Sequence, residues 1–418
     1  MIVFKRKTIK ILAAVLCGVL LFAGMSGCSG SSSGNDGMKL VADHLYELTV
    51  STDYDWNTKV ELEGLFACSA IQNGQYRGRN YDWYYTDSDL CVLHTTVTEN
   101  RPHASVGVAD ISWITDENGN VAVKNIPFIT VDGINDAGVC IQVNVMPYGE
   151  NGELIHTKTT EDDLPGNNVV HYVLDYAGSV YEAVELLREK DIYSNLGTME
   201  ELHWMISGPA SDTDSTLKTI VVEVFPDGLH ITESFVDDVP IMTNFNVFNF
   251  DGTAESIGWG MGYERWQILR DNATQADSVM GTFDLMEKVF FSKLYDLYSD
   301  NFWYSEYTHS NLSDYYSEAE LIELLGEETY GFFMENYGAV YYVPSLWDGE
   351  TAIHGDISKT GILAPVVEKL AQKYNAQNYG TDLWITVETA VYDLENLTLD
   401  VAVHESQDHY HFTIEPAC

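Results

Sequence analysis

From Cys68 onward the pattern of apolar and polar positions is mostly that of strands. Cys68-Ser69-Ala70-Ile71-Gln72 and Gln75-Tyr76-Arg77-Gly78-Arg79 flank Asn73-Gly74, a pair that tolerates the positive φ angles of a tight turn, and so predict a hairpin. In that register Gln72 faces Gln75, Ile71 faces Tyr76, Ala70 faces Arg77 and Cys68 faces Arg79. A second hairpin is predicted from Phe128–Ile134 and Val139–Val145 around Asn135-Asp136-Ala137-Gly138. Its second strand sets Val139, Ile141, Val143 and Val145 on one face and Cys140, Gln142 and Asn144 on the other. Two helices follow, the second opening on the capping pattern Ser179-Val180-Tyr181-Glu182 with Val180, Ala183, Val184 and Leu187 on one stripe. Strands return at Leu217–Phe225 and Leu229–Glu233, then a helix at about Phe283–Leu297. An aromatic, acidic stretch, Ser299–Gly380, carries helical patches at Glu318–Asn336 and Ala364–Tyr374. The strands Trp384–Tyr392 and Thr398–His404 close the chain. Strands, helices and strands again predict sheets with helices on their outer faces. The chain shows no internal repeat.

The N-terminal pattern differs. Lys5, Arg6, Lys7 and Lys10 precede the apolar run Ile11–Phe22, too short to cross a bilayer and suited to a secretory signal. It ends at Met25-Ser26-Gly27-Cys28, followed by a Ser/Gly tether. Small residues before a cysteine resemble the lipobox of bacterial lipoproteins, which implies lipidation of Cys28 and export to the cell membrane; an ordinary signal peptide ending near a cysteine is the alternative. Residues 1–27 are thus read as signal and 28–67 as tether and propeptide, where Met38–Ala67 mixes short apolar stretches with acids.

Composition narrows the function. Of 418 residues, 45% are hydrophobic and 12% aromatic, which argues for a folded chain, and a net charge of −43 excludes nucleic acid and anionic lipid as electrostatic partners. Cys68, Cys91, Cys140 and Cys418 show no CxxC and no zinc-like spacing, and the chain is too cysteine-poor for a disulfide scaffold, so bridges are optional.

Cys68 carries the candidate chemistry. A guanidinium from Arg79 beside its thiol favours the thiolate, which is the nucleophile. Asp82, three residues on, can accept hydrogen bonds from a cation such as a free α-amino group. Asn144 on the second hairpin and Asn244 in Met242-Thr243-Asn244-Phe245 offer amide donors for an oxyanion. On residue type alone a plainer reading is the favoured one for the thiol, with an inert buried Cys68 and Arg79 and Asp82 as an ordinary ion pair, and it is open for the asparagines as struts and for Arg265 as a partner of Glu264 or a stacker on Trp266.

The motifs in order weigh against the plainer reading. CSA and GRNYDW between Cys68 and Trp83, DGINDAG at Asp132–Gly138, LHWMIS at Leu202–Ser207, MTN at Met242–Asn244 and a later arginine resemble the choloylglycine hydrolase family, the bile salt hydrolase and penicillin V acylase group of N-terminal-nucleophile hydrolases. The resemblance covers about Cys68–Val289 and Tyr379–Ile414. It implies an α+β, four-layer αββα fold and an amidase whose Cys68 is the mature N-terminus, its α-amine serving as base. It further implies that Arg79 lies beside the thiolate, Asp82 holds the α-amine and Asn244 lines the oxyanion hole. The second oxyanion position falls at Asn144 when one residue is deleted after Gly138, and the later arginine falls at Arg265. Because 67 residues precede Cys68, the Ala67–Cys68 bond must be cut, by the thiol itself as in related precursors. The cut piece is then either released with its anchor or retained as a docked strand.

The expected activity is hydrolysis of linear C–N amide bonds in small N-acyl compounds of bile-salt, penicillin V or N-acyl amino acid type, through a thioester and without metal or organic cofactor. Membrane contact is expected only through a lipid on Cys28, and homo-oligomerisation stays open. An acyltransferase using the same nucleophile and a lipid-anchored binding protein are the rival readings.

Overall fold

A computed structural model describes residues 37–147, 163–193, 200–290 and 385–414, apart from 55, 57, 59, 61–66, 84–87, 117, 226, 254–255 and 257–259, together with short pieces between 310 and 342. Residues 1–36 lie outside the described residues, and all that follows concerns the unit 34–418.

Two sheets dominate. Strands β1 (Lys39–Ala42), β2 (Leu45–Val50), β3 (Ala67–Asn73), β4 (Tyr76–Trp83), β5 (Leu90–Thr95), β6 (Ser105–Asp110), β7 (Thr130–Asn135) and β8 (Cys140–Pro147) lead to helices α1 (Val169–Tyr176) and α2 (Val180–Arg188). Strands β9 (Glu200–Ser211), β10 (Asp214–Phe225), β11 (Gly228–Thr232) and β12 (Ile241–Met242) follow, then helices α3 (Tyr263–Asn272), α4 (Val279–Met286) and α5 (Glu318–Leu325). The described chain ends with β13 (Ile385–Asp393), β14 (Thr398–Val403) and β15 (Tyr410–Thr413). The larger sheet runs β1-β2-β5-β6-β7-β8-β9-β10-β11, and the smaller β12-β3-β4-β13-β14-β15. Within these two sheets every neighbouring pair is antiparallel except β2–β5.

The sheets face one another across an apolar layer in which Leu90, Val92, Val106 and Ile134 of the larger sheet meet Ala390, Tyr392, Leu399 and Val401 of the smaller. On the outer face of the larger sheet Val143, Trp204 and Val222 pack under Val170 and Leu174 of α1 and Ala183 and Leu187 of α2. On the outer face of the smaller sheet Ile71 packs under Trp266 and Leu269 of α3 and Leu285 and Met286 of α4. The order is therefore helix, sheet, sheet, helix: an α+β, four-layer αββα sandwich, as expected.

α2 forms for the reasons its sequence suggests. Ser179 Oγ accepts the Glu182 N–H, and Val180, Ala183, Val184 and Leu187 are buried. The Glu182 carboxylate reaches back to the Gly178 N–H at 2.8 Å, one residue beyond the cap position that a full capping box uses.

The first hairpin differs in register from the expectation. Its turn is Gly74-Gln75 rather than Asn73-Gly74, so Asn73 faces Tyr76, Ala70 faces Arg79 and Cys68 faces Tyr81. Gly74 has φ +52° as the first central residue, the place where a type II′ turn demands glycine, and Asn73 does not share the positive φ of a type I′ pair. Sliding the turn by one residue moves each partner by two. Side-chain parity is kept, and Cys68 and Arg79 still share a face. Gly78 lies on the opposite face, where a Cβ would come within 2.7 Å of Thr282 Cγ2; helix α4 packs there directly on the strand.

The predicted helix at Phe283–Leu297 begins earlier, at Val279, and residues 291–297 lie outside the described residues. So do most of Ser299–Gly380 and its patch Ala364–Tyr374; α5 answers to the patch at Glu318–Asn336. The polar side of β8 is not half-solvated, because Cys140, Gln142 and Asn144 are all buried between the sheets.

Candidate active site

Four segments distant in sequence meet at Cys68. It sits near the start of β3, where the neighbour on one side, β12, pairs only with Ala70 and Ile71. The ladder thus stops short of Cys68, and its main-chain groups are taken by side chains instead. Its N–H donates to Asn244 Oδ1 at 2.9 Å. Its carbonyl accepts from Arg265 Nη1 at 2.8 Å, and Arg265 Nη2 also donates to Asn244 Oδ1 at 2.8 Å. Its sulfur accepts from Arg79 Nη2 at 3.6 Å. All four residues are buried, Cys68 completely (0% exposed).

Arg79 is held hard. Its Nη1 donates to Asp132 Oδ2 and Glu388 Oε2, each at 2.8 Å, and its Nη2 also donates to Val143 O at 3.2 Å. Burial works against its charge, but Asp132, Cys68 and Glu388 outweigh burial and raise its pKa. The Tyr392 hydroxyl donates to the other Asp132 oxygen. Burial, with Asp132 next to it, pushes the Glu388 carboxyl well above the usual carboxylate range.

The Cys68 thiol itself is pushed up to about 12, chiefly by burial, with the Arg79 charge acting in the other direction. The expected activation by a neighbouring guanidinium is present but smaller than desolvation while the chain is uncut. Its thiol is therefore neutral at ordinary pH.

Asp82 lies on the other face of β4. Its Oδ1 accepts from Thr386 Oγ1 at 2.6 Å and its Oδ2 from Arg265 Nη1 at 3.3 Å. The Cys68 nitrogen, expected beside Asp82, bonds to Asn244 in the uncut chain. Asn144 donates to Met242 O and Thr243 O at 3.3 and 3.1 Å, so both its amide hydrogens are committed to the segment that carries Asn244. Asn244 Nδ2 donates to Val145 O at 2.6 Å, and its second amide hydrogen is not used in any described bond.

Cys140 also combines a buried thiol with a buried arginine, Arg77, and burial pushes it up to about 12. It differs from Cys68 in lying inside the sheet, laddered to Ile134 on one side and Ser207 on the other. Cys91 and Cys140 are free thiols, and Cys418 lies outside the described residues. Ala67 begins β3 opposite Asp82, and Cys28 lies outside the described residues.

Four residues of the site were not singled out from sequence. Asp132 was visible as the first residue of DGINDAG, and His203 as the histidine of LHWMIS. His203 Nε2 lies 2.9 Å from Thr243 O and pins the residue before Asn244, while its Nδ1 faces Glu223 at 3.3 Å. Thr386 and Glu388 had a fainter signal, two polar residues alternating with Ile385 and Val387 at the start of the closing strand.

A helix–sheet–sheet–helix sandwich of this kind is the fold of the N-terminal-nucleophile hydrolases. Residues 68–255 match the family described as linear amide C–N hydrolases, choloylglycine hydrolase family. Over those residues the chain is similar to the linear amide C–N hydrolases. Among solved structures it is similar to a mutant conjugated bile acid hydrolase from Clostridium perfringens (14% identity, 83% of this chain and 92% of that one, TM-score 0.37). It is also similar to penicillin V acylase from Agrobacterium tumefaciens (13% identity, 83% and 86%, TM-score 0.33). No curated protein sequence matches the chain.

Proposed function

We propose that the chain is a self-processing cysteine amidase whose nucleophile is Cys68. The observation that carries this reading is the convergence of Arg79, Asn244 and Arg265 on the sulfur, nitrogen and carbonyl oxygen of one cysteine. In maturation the Cys68 sulfur attacks the Ala67 carbonyl and the Ala67–Cys68 C–N bond breaks. The nitrogen leaves as the free α-amine, and water hydrolyses the thioester to a new carboxylate and the restored thiol. In turnover the α-amine takes the thiol proton, sulfur adds to the substrate amide carbonyl, the protonated amine departs and water releases the acid.

Each neighbour then has a part. Arg79 stabilises the thiolate once it is solvated. Asn244 Oδ1 and the Asp82 carboxylate hold the α-ammonium, and the uncommitted amide hydrogen of Asn244 meets the oxyanion. Asn144, whose amide is engaged by Met242 and Thr243, acts by positioning Asn244. Arg265 fixes the Cys68 carbonyl. The substrates are small N-acyl amides of bile-salt, penicillin V or N-acyl amino acid type, as the family suggests. Residues 1–27 are a signal and Cys28 is lipidated, on the strength of the basic, apolar and small-residue succession.

Intact mass and N-terminal sequencing of purified protein should show a chain beginning at Cys68. Cys68→Ala should abolish both that cut and hydrolysis across a panel of those N-acyl amides. An active enzyme with Cys68 still internal overturns the mechanism.

A further inference from the structure

The segment ahead of the cleavage site is built into the fold at two places. β2 lies against β5 in parallel register from Leu45↔Leu90 to Val50↔Thr95. Leu45 points into the layer between the sheets, Leu48 into the core beneath α1 and α2, and both are buried. The strand beneath is buried along its whole length, Leu90–Thr95, so losing β2 would turn an inner strand into a bare apolar edge.

The second attachment is polar and aromatic. Arg101, 2% exposed, donates to Val50 O at 3.1 Å and Thr52 O at 3.4 Å and lies 5.0 Å over the Tyr54 ring. The Tyr54 hydroxyl donates to Asp175 and lies 3.2 Å from His171 Nδ1, both buried on α1. Trp56 meets Tyr172 and Phe128 edge-on and donates to Tyr176 at 3.3 Å. Removing this segment would strand a buried guanidinium and a buried His–Asp pair without these partners, a penalty charged groups bear heavily.

We infer that residues 38–60 remain bound after the chain is cut before Cys68, so that the mature enzyme is a non-covalent complex of two pieces. The inference rests on the proposed cleavage and adds to it that the small piece is a structural subunit. An anchor on Cys28 would then keep the catalytic piece at the membrane.

The test supplies the cut from outside. In the full chain with Cys68→Ala, residues 61–66 are replaced by the recognition sequence of a site-specific protease, and the folded protein is nicked to completion. Native size-exclusion chromatography with intact-mass analysis should show both pieces in one peak in equimolar amount. Adding Tyr54→Ala and Trp56→Ala after the same nick should speed loss of the small piece on dilution at least about tenfold, the change expected when ~1.4 kcal/mol of binding is lost. A folded catalytic piece eluting alone from the nicked parent overturns the inference. Because the protease makes this cut, the result stands apart from self-processing. A wild-type chain that stays whole tells against the nucleophile reading alone.

Discussion

Asp132, Glu388 and Arg79 share one buried site, in which both carboxylates bond to one guanidinium and the Glu388 carboxyl is pushed up toward its neutral form. Two ionised carboxylates beside one guanidinium would leave a net buried charge; one neutral acid does not. Because the folded-state pKa of Glu388 lies well above its ordinary value of 4.5, its contribution to stability is fully present below that value. That contribution is lost as pH rises toward the folded-state pKa. Glu388→Gln copies the protonated acid, accepting from Arg79 and donating to Asp132, and has no proton to lose. Its stability relative to wild type should therefore improve with rising pH above about 4.5, by up to ~1.4 kcal/mol per pH unit. Urea unfolding of both proteins at a series of pH values measures this, and a pH-independent difference would show that Glu388 ionises normally in the fold. The residue scale also shows why some of the site was readable and some was not. Cys68, Arg79 and Asp82 sit within one hairpin, where a misplaced turn kept side-chain parity and therefore kept thiol and guanidinium on one face. Glu388 reaches the same place from more than 300 residues away, across a bulge between Thr386 and Glu388. That bulge lets one strand serve both faces of β4, Thr386 bonding Asp82 and Glu388 bonding Arg79. No alternation pattern announces a bulge.

Elements were legible where one face is wet. The α2 stripe stands out because Tyr181, Glu182 and Glu185 alternate with buried positions in the helical period, and its cap adds a local signal. Ser179→Ala removes the acceptor for the Glu182 N–H, which is 3.2 Å from Ser179 Oγ. It should destabilise the protein by about 1 kcal/mol, seen as a lower thermal midpoint with hydrolysis unchanged at temperatures where both proteins are folded. An unchanged midpoint would mean that the Glu182 carboxylate on the Gly178 N–H carries the cap by itself. β5 and β6, by contrast, are buried on both faces, with Asp110, Ser105 and Thr95 as satisfied polar residues, so they show no period of two and were not predicted. α3 was missed for a related reason. Its buried face includes Arg265 beside Trp266 and Leu269, and a charged residue at a core position hides the apolar stripe.

At the scale of the molecule the sandwich is two sheets held by more than apolar contact. Arg77 leaves β4 in the smaller sheet and crosses to the larger one, where it donates to Met205 O at 3.0 Å, Cys140 O at 3.4 Å and the Ser207 hydroxyl. Its Nε donates to Gln72 Oε1 at 3.1 Å in its own sheet. Burial lowers its pKa, yet no described contact is a carboxylate ion pair, so its positive charge is met by carbonyl and hydroxyl dipoles. The Asp132 carboxylate supports that charge from farther off. Two effects oppose each other when Arg77→Met is made. Removing the guanidinium ends the desolvation penalty of a buried charge, which favours the variant. It also leaves two main-chain carbonyls and the Gln72 side chain without their donor, at about 1–3 kcal/mol for each group left unsatisfied. With several acceptors losing one donor, the second effect should win, and the variant should lose about 2–4 kcal/mol. The urea midpoint should fall while the slope of the transition stays as in wild type, because the surface exposed on unfolding is the same. A midpoint equal to wild type would instead mean that desolvation cancels the clamp, leaving the apolar layer of Val92, Val106, Leu399 and Val401 to hold the two sheets together.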